Sequence, residues 1–158
     1  MTSDDANKSD ADWRKVLLAR YTPSVWAQIE VGDGWRPLIE FLYDEVDKHD
    51  CISVAQVKEK FGGLRFYLNH DYECLGEADL GCPHLKAMEG SVRVIEALSG
   101  YMCEQCGDRS TKTPLKEGER RGWIHTECDD CRHARLEARE RQAREWEARK
   151  AADQEETK

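Results

Sequence analysis

Two Cys-x-x-Cys hooks, Cys103-Glu-Gln-Cys106 and Cys128-Asp-Asp-Cys131, constrain this chain more than any other feature. Two residues between cysteines let a tight turn aim both thiolates at one point, and two such turns complete a tetrahedral shell of four sulfurs suited to Zn²⁺. The spacer, residues 107–127, is about one residue longer than the usual range for paired hooks, and the excess falls in a loop. Gly107 follows the first hook, where a knuckle often requires φ > 0. The bland alternative is four free or disulfide-bonded cysteines. Four protein ligands leave no open position to activate a water or polarise a substrate. Cys103, Cys106, Cys128 and Cys131 are therefore read as a closed, structural zinc site.

The 158 residues allow one domain with a modest core, or a small domain with appendages. Only 39% are hydrophobic and 35% are charged, and the charge gathers at the ends. Residues 1–11 read as a disordered acidic N-terminus, 12–100 as an α+β body, 101–131 as a zinc ribbon, and 132–158 as a charged helix fraying to a disordered tail. The fold class is α+β: a small, mostly helical body with a short strand or hairpin, a C-terminal four-cysteine zinc ribbon or knuckle and a projecting charged helix. A formal net charge of −8 opposes loose adhesion to nucleic acid or anionic membrane. No apolar run has membrane-spanning length and the opening MTSDDANKSD is not a signal peptide, so the expected location is the cytoplasm, that of the host cell if phage-encoded. Seven cysteines in such a chain fit reduced thiols plus metal.

Asp10 or Asp12 can cap a first helix with Trp13, Val16, Leu17 and Arg20 on one face, ended by Thr22-Pro23. After Glu30-Val-Gly-Asp-Gly-Trp35, a second helix is expected from Trp35 to Lys48, with Leu38, Ile39, Leu42 and Val46 inward and Asp33 as its cap. Ser53-Val-Ala-Gln56 has the form of a capping box, with Ile52 and Val57 as its staple. Val54, Val57 and Phe61 then share a helical face, Gly62-Gly63 stops that short helix, and Leu64–Leu68 alternates as a strand. The rival is a hairpin folded at Gly62-Gly63, with Lys60 opposite Arg65 as an unfavourable like-charge pair.

A loop with Cys74, Cys82 and His84 follows. Together with Cys51 these raise the question of a second metal site, but the spacings match no knuckle, and thiols in a loop are the default reading. A third helix runs from Pro83 to the stop at Gly100, burying Leu85, Met88, Val92, Ile95 and either Leu98 or Ser99. Between the hooks come a polar spacer with Arg109, Lys112, Lys116, Arg120 and Arg121, and a returning strand over Gly122–Thr126 whose Trp123 shields the metal. Beyond Cys131, Glu137→Arg141, Glu140→Arg144 and Glu145→Arg149 support a helix that projects and frays after Lys150.

Three landmarks stand in order: Glu30-Val-Gly-Asp-Gly-Trp35, then Gln56-Val-Lys-Glu-Lys-Phe-Gly-Gly-Leu-Arg-Phe-Tyr67, then the first hook with Gly122-Trp-Ile-His-Thr126 and Cys128. In these, over about residues 25–131, the chain resembles a family of small proteins of bacteriophages, prophages and bacteria. The resemblance implies a mobile-element origin and a zinc-binding end, and brings no activity with it. The Cys74–His84 loop and the long C-terminal helix depart from that pattern.

The function expected is non-enzymatic: a zinc-stabilised accessory protein that binds a host or phage macromolecule, with a protein partner favoured. Its candidate surface is Lys58, Lys60, Arg65 and Tyr67, where cations and aromatics crowd within ten residues of a chain of opposite net charge. A nucleic-acid-binding ribbon using the spacer cations is the alternative, tempered by Asp108, Glu117, Glu119 and Glu127 among them. A Mg²⁺-dependent nuclease built on Asp33 with Gln56-x-Lys58 is a weaker one, requiring Asp33, Lys58 and Glu59 to converge. No spacing supports a Ser/His/Asp or Cys/His nucleophile, and no phosphate-binding loop is present.

Overall fold

The computed structural model describes residues 13–20, 28–70, 82–112 and 124–156. The acidic N-terminus, Thr22-Pro23, Cys74, Lys116, Arg120, Arg121 and Trp123 lie outside the described residues.

The elements are α1 (Trp13–Arg20), β1 (Ile29–Glu30), a 3-10 turn (Asp33–Trp35), α2 (Arg36–Val46), β2 (Ile52–Glu59), β3 (Leu64–His70), α3 (Pro83–Ser99), β4 (Thr111–Lys112), β5 (Thr126–Glu127) and α4 (Asp129–Glu156). The fold is α+β. A three-stranded sheet in the order β1-β2-β3 has β1 parallel and β3 antiparallel to β2. One core joins Trp13 and Leu17 of α1, Leu38, Ile39, Leu42, Tyr43 and Val46 of α2, Val54, Val57, Leu64 and Phe66 of the sheet, and Met88, Val92 and Ile95 of α3. Tyr43 meets Phe66 edge to face, centroids 5.6 Å apart.

α2 and α3 form where the 3.6-residue periodicity placed them, with Pro at the start of each, where its missing N–H has no helical partner in any case. In α1 the expected face is incomplete, since Val16 is 60% exposed. Asp33 does not cap α2: Trp35 holds the cap position without a side-chain bond, and Asp33 turns to α1 instead.

The short helix expected after Ser53 is a strand, and the hairpin is the observed fold. Its register pairs Val54 with Leu68 and then Gln56 with Tyr67, leaving Ala55 as a bulge. The bulge resets the alternation, so Ile52, Val54 and Val57 all face the core, and this inward three-residue step imitated a helix. The turn lies one residue earlier than Gly62-Gly63. Lys60 N–H donates to Gly63 O at 2.9 Å and Gly63 N–H to Lys60 O at 3.2 Å around Phe61-Gly62, both with positive φ, 56° and 69°. Lys58, not Lys60, is therefore opposite Arg65. The two cations are drawn apart: Lys58 Nζ donates to Gln56 Oε1, and Arg65 leans toward Glu96 of α3.

The outer edge of β3 lies along α3. Leu64 N–H donates to Ser99 Oγ and Phe66 N–H to Glu96 Oε1, each at 2.9 Å. At the far end, α4 runs past Lys150 to Glu156, and every described side chain beyond residue 138 is exposed. No helix among the described residues is long and apolar enough to cross a membrane.

Candidate metal centre

The two hooks are built differently. The first is a tight turn: Cys103 N–H donates to Asp108 O at 2.6 Å, Gly107 N–H donates to Cys103 O at 2.9 Å, and Gly107 takes φ 83°, the left-handed conformation its position called for. The second opens α4 instead of forming a second knuckle. Arg132 N–H donates to Cys128 O at 3.0 Å, so Cys128 and Cys131 stand three apart on the first helical turn. β4 and β5 tie the two hooks together, Thr111 opposite Glu127 and Lys112 opposite Thr126.

The sulfurs of Cys103, Cys106, Cys128 and Cys131 all lie within 4.8 Å of one another. Cys106 and Cys128 are 3.6 Å apart. Two sulfurs each about 2.3 Å from one ion at the tetrahedral angle stand about 3.8 Å apart, so the cluster has the size of a metal shell. Electrostatics points the same way. Burial raises the Cys103 thiol, but backbone hydrogen bonds from Cys128, Cys106 and Gln105 outweigh it and bring the pKa to about 7. Against a lowering backbone bond at Asp108, burial and the sulfurs of Cys103 and Cys128 push Cys106 up to about 11. Burial and the same neighbours push Cys131 higher still. Thiolates this close cannot all ionise together unless a cation balances them.

The body grips this centre at two of the sequence landmarks. Gly32 and Gly34 lie flat on the first hook: Gly34 N–H donates to Glu104 O at 2.7 Å and Gly32 N–H to Glu104 Oε1 at 3.0 Å. A Cβ on Gly34 would stand 2.1 Å from Cys103 O and 2.4 Å from Gly107 N. Trp35, fully buried, donates from Nε1 to Met102 O at 2.8 Å. From the other side the hairpin turn docks on the strand leading to the second hook: Thr126 Oγ1 donates to Gly62 O, and a Cβ on Gly62 would sit 2.9 Å from Ile124 Cγ2. Glu104 N–H donates to Thr126 O at 2.9 Å, closing the ring of contacts.

Two buried carboxylates here were not singled out from sequence as part of the site. Burial, with Glu59 and Glu127 nearby, raises Glu104 above the usual carboxylate range, partly offset by the Gly32 N–H. Glu127 is clamped by Arg135 of α4 through Nε at 2.7 Å and Nη2 at 2.9 Å. Their only sequence signal was a carboxylate beside a hook cysteine, which does not separate them from solvated neighbours.

The candidate partner residues share the hairpin. Lys58 lies 5.1 Å from the Tyr67 ring centroid and Lys60 lies 5.4 Å from that of Phe61. Tyr67 is 41% exposed, and Phe61, expected in the core, is 64% exposed at the turn. Asp33 and Lys58 have different partners: Lys58 Nζ donates to Gln56 Oε1 at 2.7 Å. Asp33 accepts from Trp13 Nε1 at 2.9 Å and pairs with Arg14 at 2.7 Å. Its pKa is lowered chiefly by the Trp13 bond and by Arg14 and Arg36, against some burial. Cys82, expected in a loop, is the buried residue preceding α3, 3.8 Å from Cys51 sulfur to sulfur, while His84 faces His49. No protein-family model, curated protein or solved structure matches the chain.

Proposed function

We propose that this is a zinc-stapled, non-enzymatic accessory protein of the phage kind that binds a host or phage protein through the face of its β2–β3 hairpin. The observation that carries the reading is the hairpin itself. A bulky aromatic is held at positive φ and largely exposed at the turn, with Lys60, Lys58, Tyr67 and Arg65 behind it. Burial gains nothing from Phe61 in that position, and its backbone strain of about 1 kcal/mol is retained. Exposed aromatics beside an arginine, here Phe61 and Tyr67 with Arg65, are the composition of interface anchors. Zn²⁺ on Cys103, Cys106, Cys128 and Cys131 would supply folding energy and no reactive position, with the ribbon-like β4–β5 pair as its frame. A protein partner is favoured over nucleic acid by the exposed Val94, Leu98 and Tyr101, one helical face running off the end of α3, since apolar surface does nothing for phosphates.

The test is co-purification from host and phage-infected lysates with wild type and with Lys58→Glu combined with Phe61→Asn. Arg65 is left intact because a carboxylate there would face Glu96, which holds the sheet edge. Loss of a reproducible partner, with zinc content unchanged and melting temperature equal or higher, supports the proposal. Capture that persists moves the function to α3, the metal-bearing end or α4.

A further inference from the structure

We propose a second zinc site, distinct from the four-sulfur centre, on Cys51, His70 and Cys82. Three separate elements deliver these donors. Cys51 immediately precedes β2, His70 ends β3 and pairs with Ile52 across the ladder, and Cys82 is the residue before α3. One ligand atom from each lies within 4.8 Å of the other two. The Cys51–Cys82 sulfur separation is 3.8 Å, the edge of a tetrahedron around an ion with bonds of about 2.3 Å, and far from the roughly 2.05 Å of a disulfide.

The donor set selects the ion. Two thiolates and an imidazole are soft to borderline ligands, suited to Zn²⁺ and poor for Mg²⁺ or Ca²⁺. Cys82 is buried, where a thiolate needs a compensating charge, and it holds the position before a helix of 17 residues. His49 and His84, two residues from Cys51 and Cys82, are outside the set: their Nδ1 atoms lie 2.7 Å apart, one ring donating to the other. Among the described residues three protein ligands converge here, and the site ties the open end of the hairpin to the start of α3.

The full chain, expressed with zinc in the medium and purified without chelator, is assayed by elemental analysis and native mass spectrometry. Two zinc ions per chain are expected, falling to one in Cys51→Ser and, separately, in His70→Asn, while Cys106→Ser keeps the ion of the second site. His70→Asn leaves both cysteines in place and so guards against misfolding of the Cys51 variant; far-ultraviolet dichroism checks both. One zinc in wild type with none in Cys106→Ser would overturn the proposal without touching the first site. So would two ions retained in both Cys51→Ser and His70→Asn, or a Cys51–Cys82 disulfide in a non-reduced peptide map.

Discussion

Replacing Gly34 by alanine adds one methyl group where the body meets the first hook. The new Cβ would lie 2.1 Å from Cys103 O, 2.4 Å from Gly107 N and 2.8 Å from the carbonyl carbon of Glu104. All three are backbone atoms of a turn already fixed by its own hydrogen bonds, so no flexible side chain can swing away. Gly34 does not occupy the left-handed region, so the substitution tests steric approach alone. Overpacking of this sort costs about 1–3 kcal/mol. Separation of the surfaces also loses the 2.7 Å bond from Gly34 N–H to Glu104 O, worth about 1 kcal/mol. The sum, about 2–4 kcal/mol, is a large share of the stability of a small domain and should lower the urea midpoint by about 1–2 M. Zinc affinity should fall with it, tenfold for each 1.4 kcal/mol or so by which the hook is displaced, because ligation and folding of this end are linked. Gly90 is the internal control. It lies in α3 with nothing within 4 Å of its would-be Cβ, so Gly90→Ala should stabilise by about 0.5–1 kcal/mol through helix propensity. A Gly34→Ala protein that unfolds at the wild-type midpoint and holds zinc as tightly would refute the packing described for this interface.

Arg135→Ala should destabilise by about 3 kcal/mol in chemical denaturation, because it strands the Glu127 carboxylate, whose side chain is 1% exposed. Arg135→Lys should restore little, lacking the two-pronged donor; full rescue by lysine would show that charge alone matters there. For Asp33, the folded pKa is below the ordinary 3.8, so its contribution is present above that value and fades as pH falls through the folded pKa. Asp33→Asn should therefore lower stability at pH 7 and flatten the acid limb of the stability profile below about pH 4, and an unchanged limb would count against the Trp13–Arg14 pocket as its cause.

Much of this molecule was legible because its strongest signals are local. Cysteines paired with two residues between them announce their convergence, and Leu38, Ile39, Leu42 and Val46, like Met88, Val92 and Ile95, keep a helical period. β2 was misread for a definite reason: the bulge at Ala55 turns a two-residue period into a three-residue step, and Ser53 and Gln56 then supply a false cap. The turn was displaced because two adjacent glycines look like the hinge, whereas the chain bends at Phe61, a residue that rarely accepts positive φ. The role of Gly32 and Gly34 was invisible, since nothing local says that a hook some seventy residues later will lie against them. His70 escaped for the same reason. It reaches Cys51 and Cys82 through strand pairing and helix placement, with no spacing that a motif could register.

The bonds from Leu64 to Ser99 and from Phe66 to Glu96 also bear on how copies of this chain meet one another. An outer strand with idle N–H groups is a template for intermolecular cross-β growth, and β3 carries three large apolar residues in its first five positions. Here two side chains of α3, one turn apart, occupy the acceptor positions that a neighbouring strand's carbonyls would take. At the opposite margin β1 is only two residues long, too short to seed a ladder. Helix α3 thus covers the strand edge as well as the core. Removing both acceptors, as in Glu96→Ala with Ser99→Ala, would expose a nucleus for fibril formation at concentrations where the native chain stays dispersed.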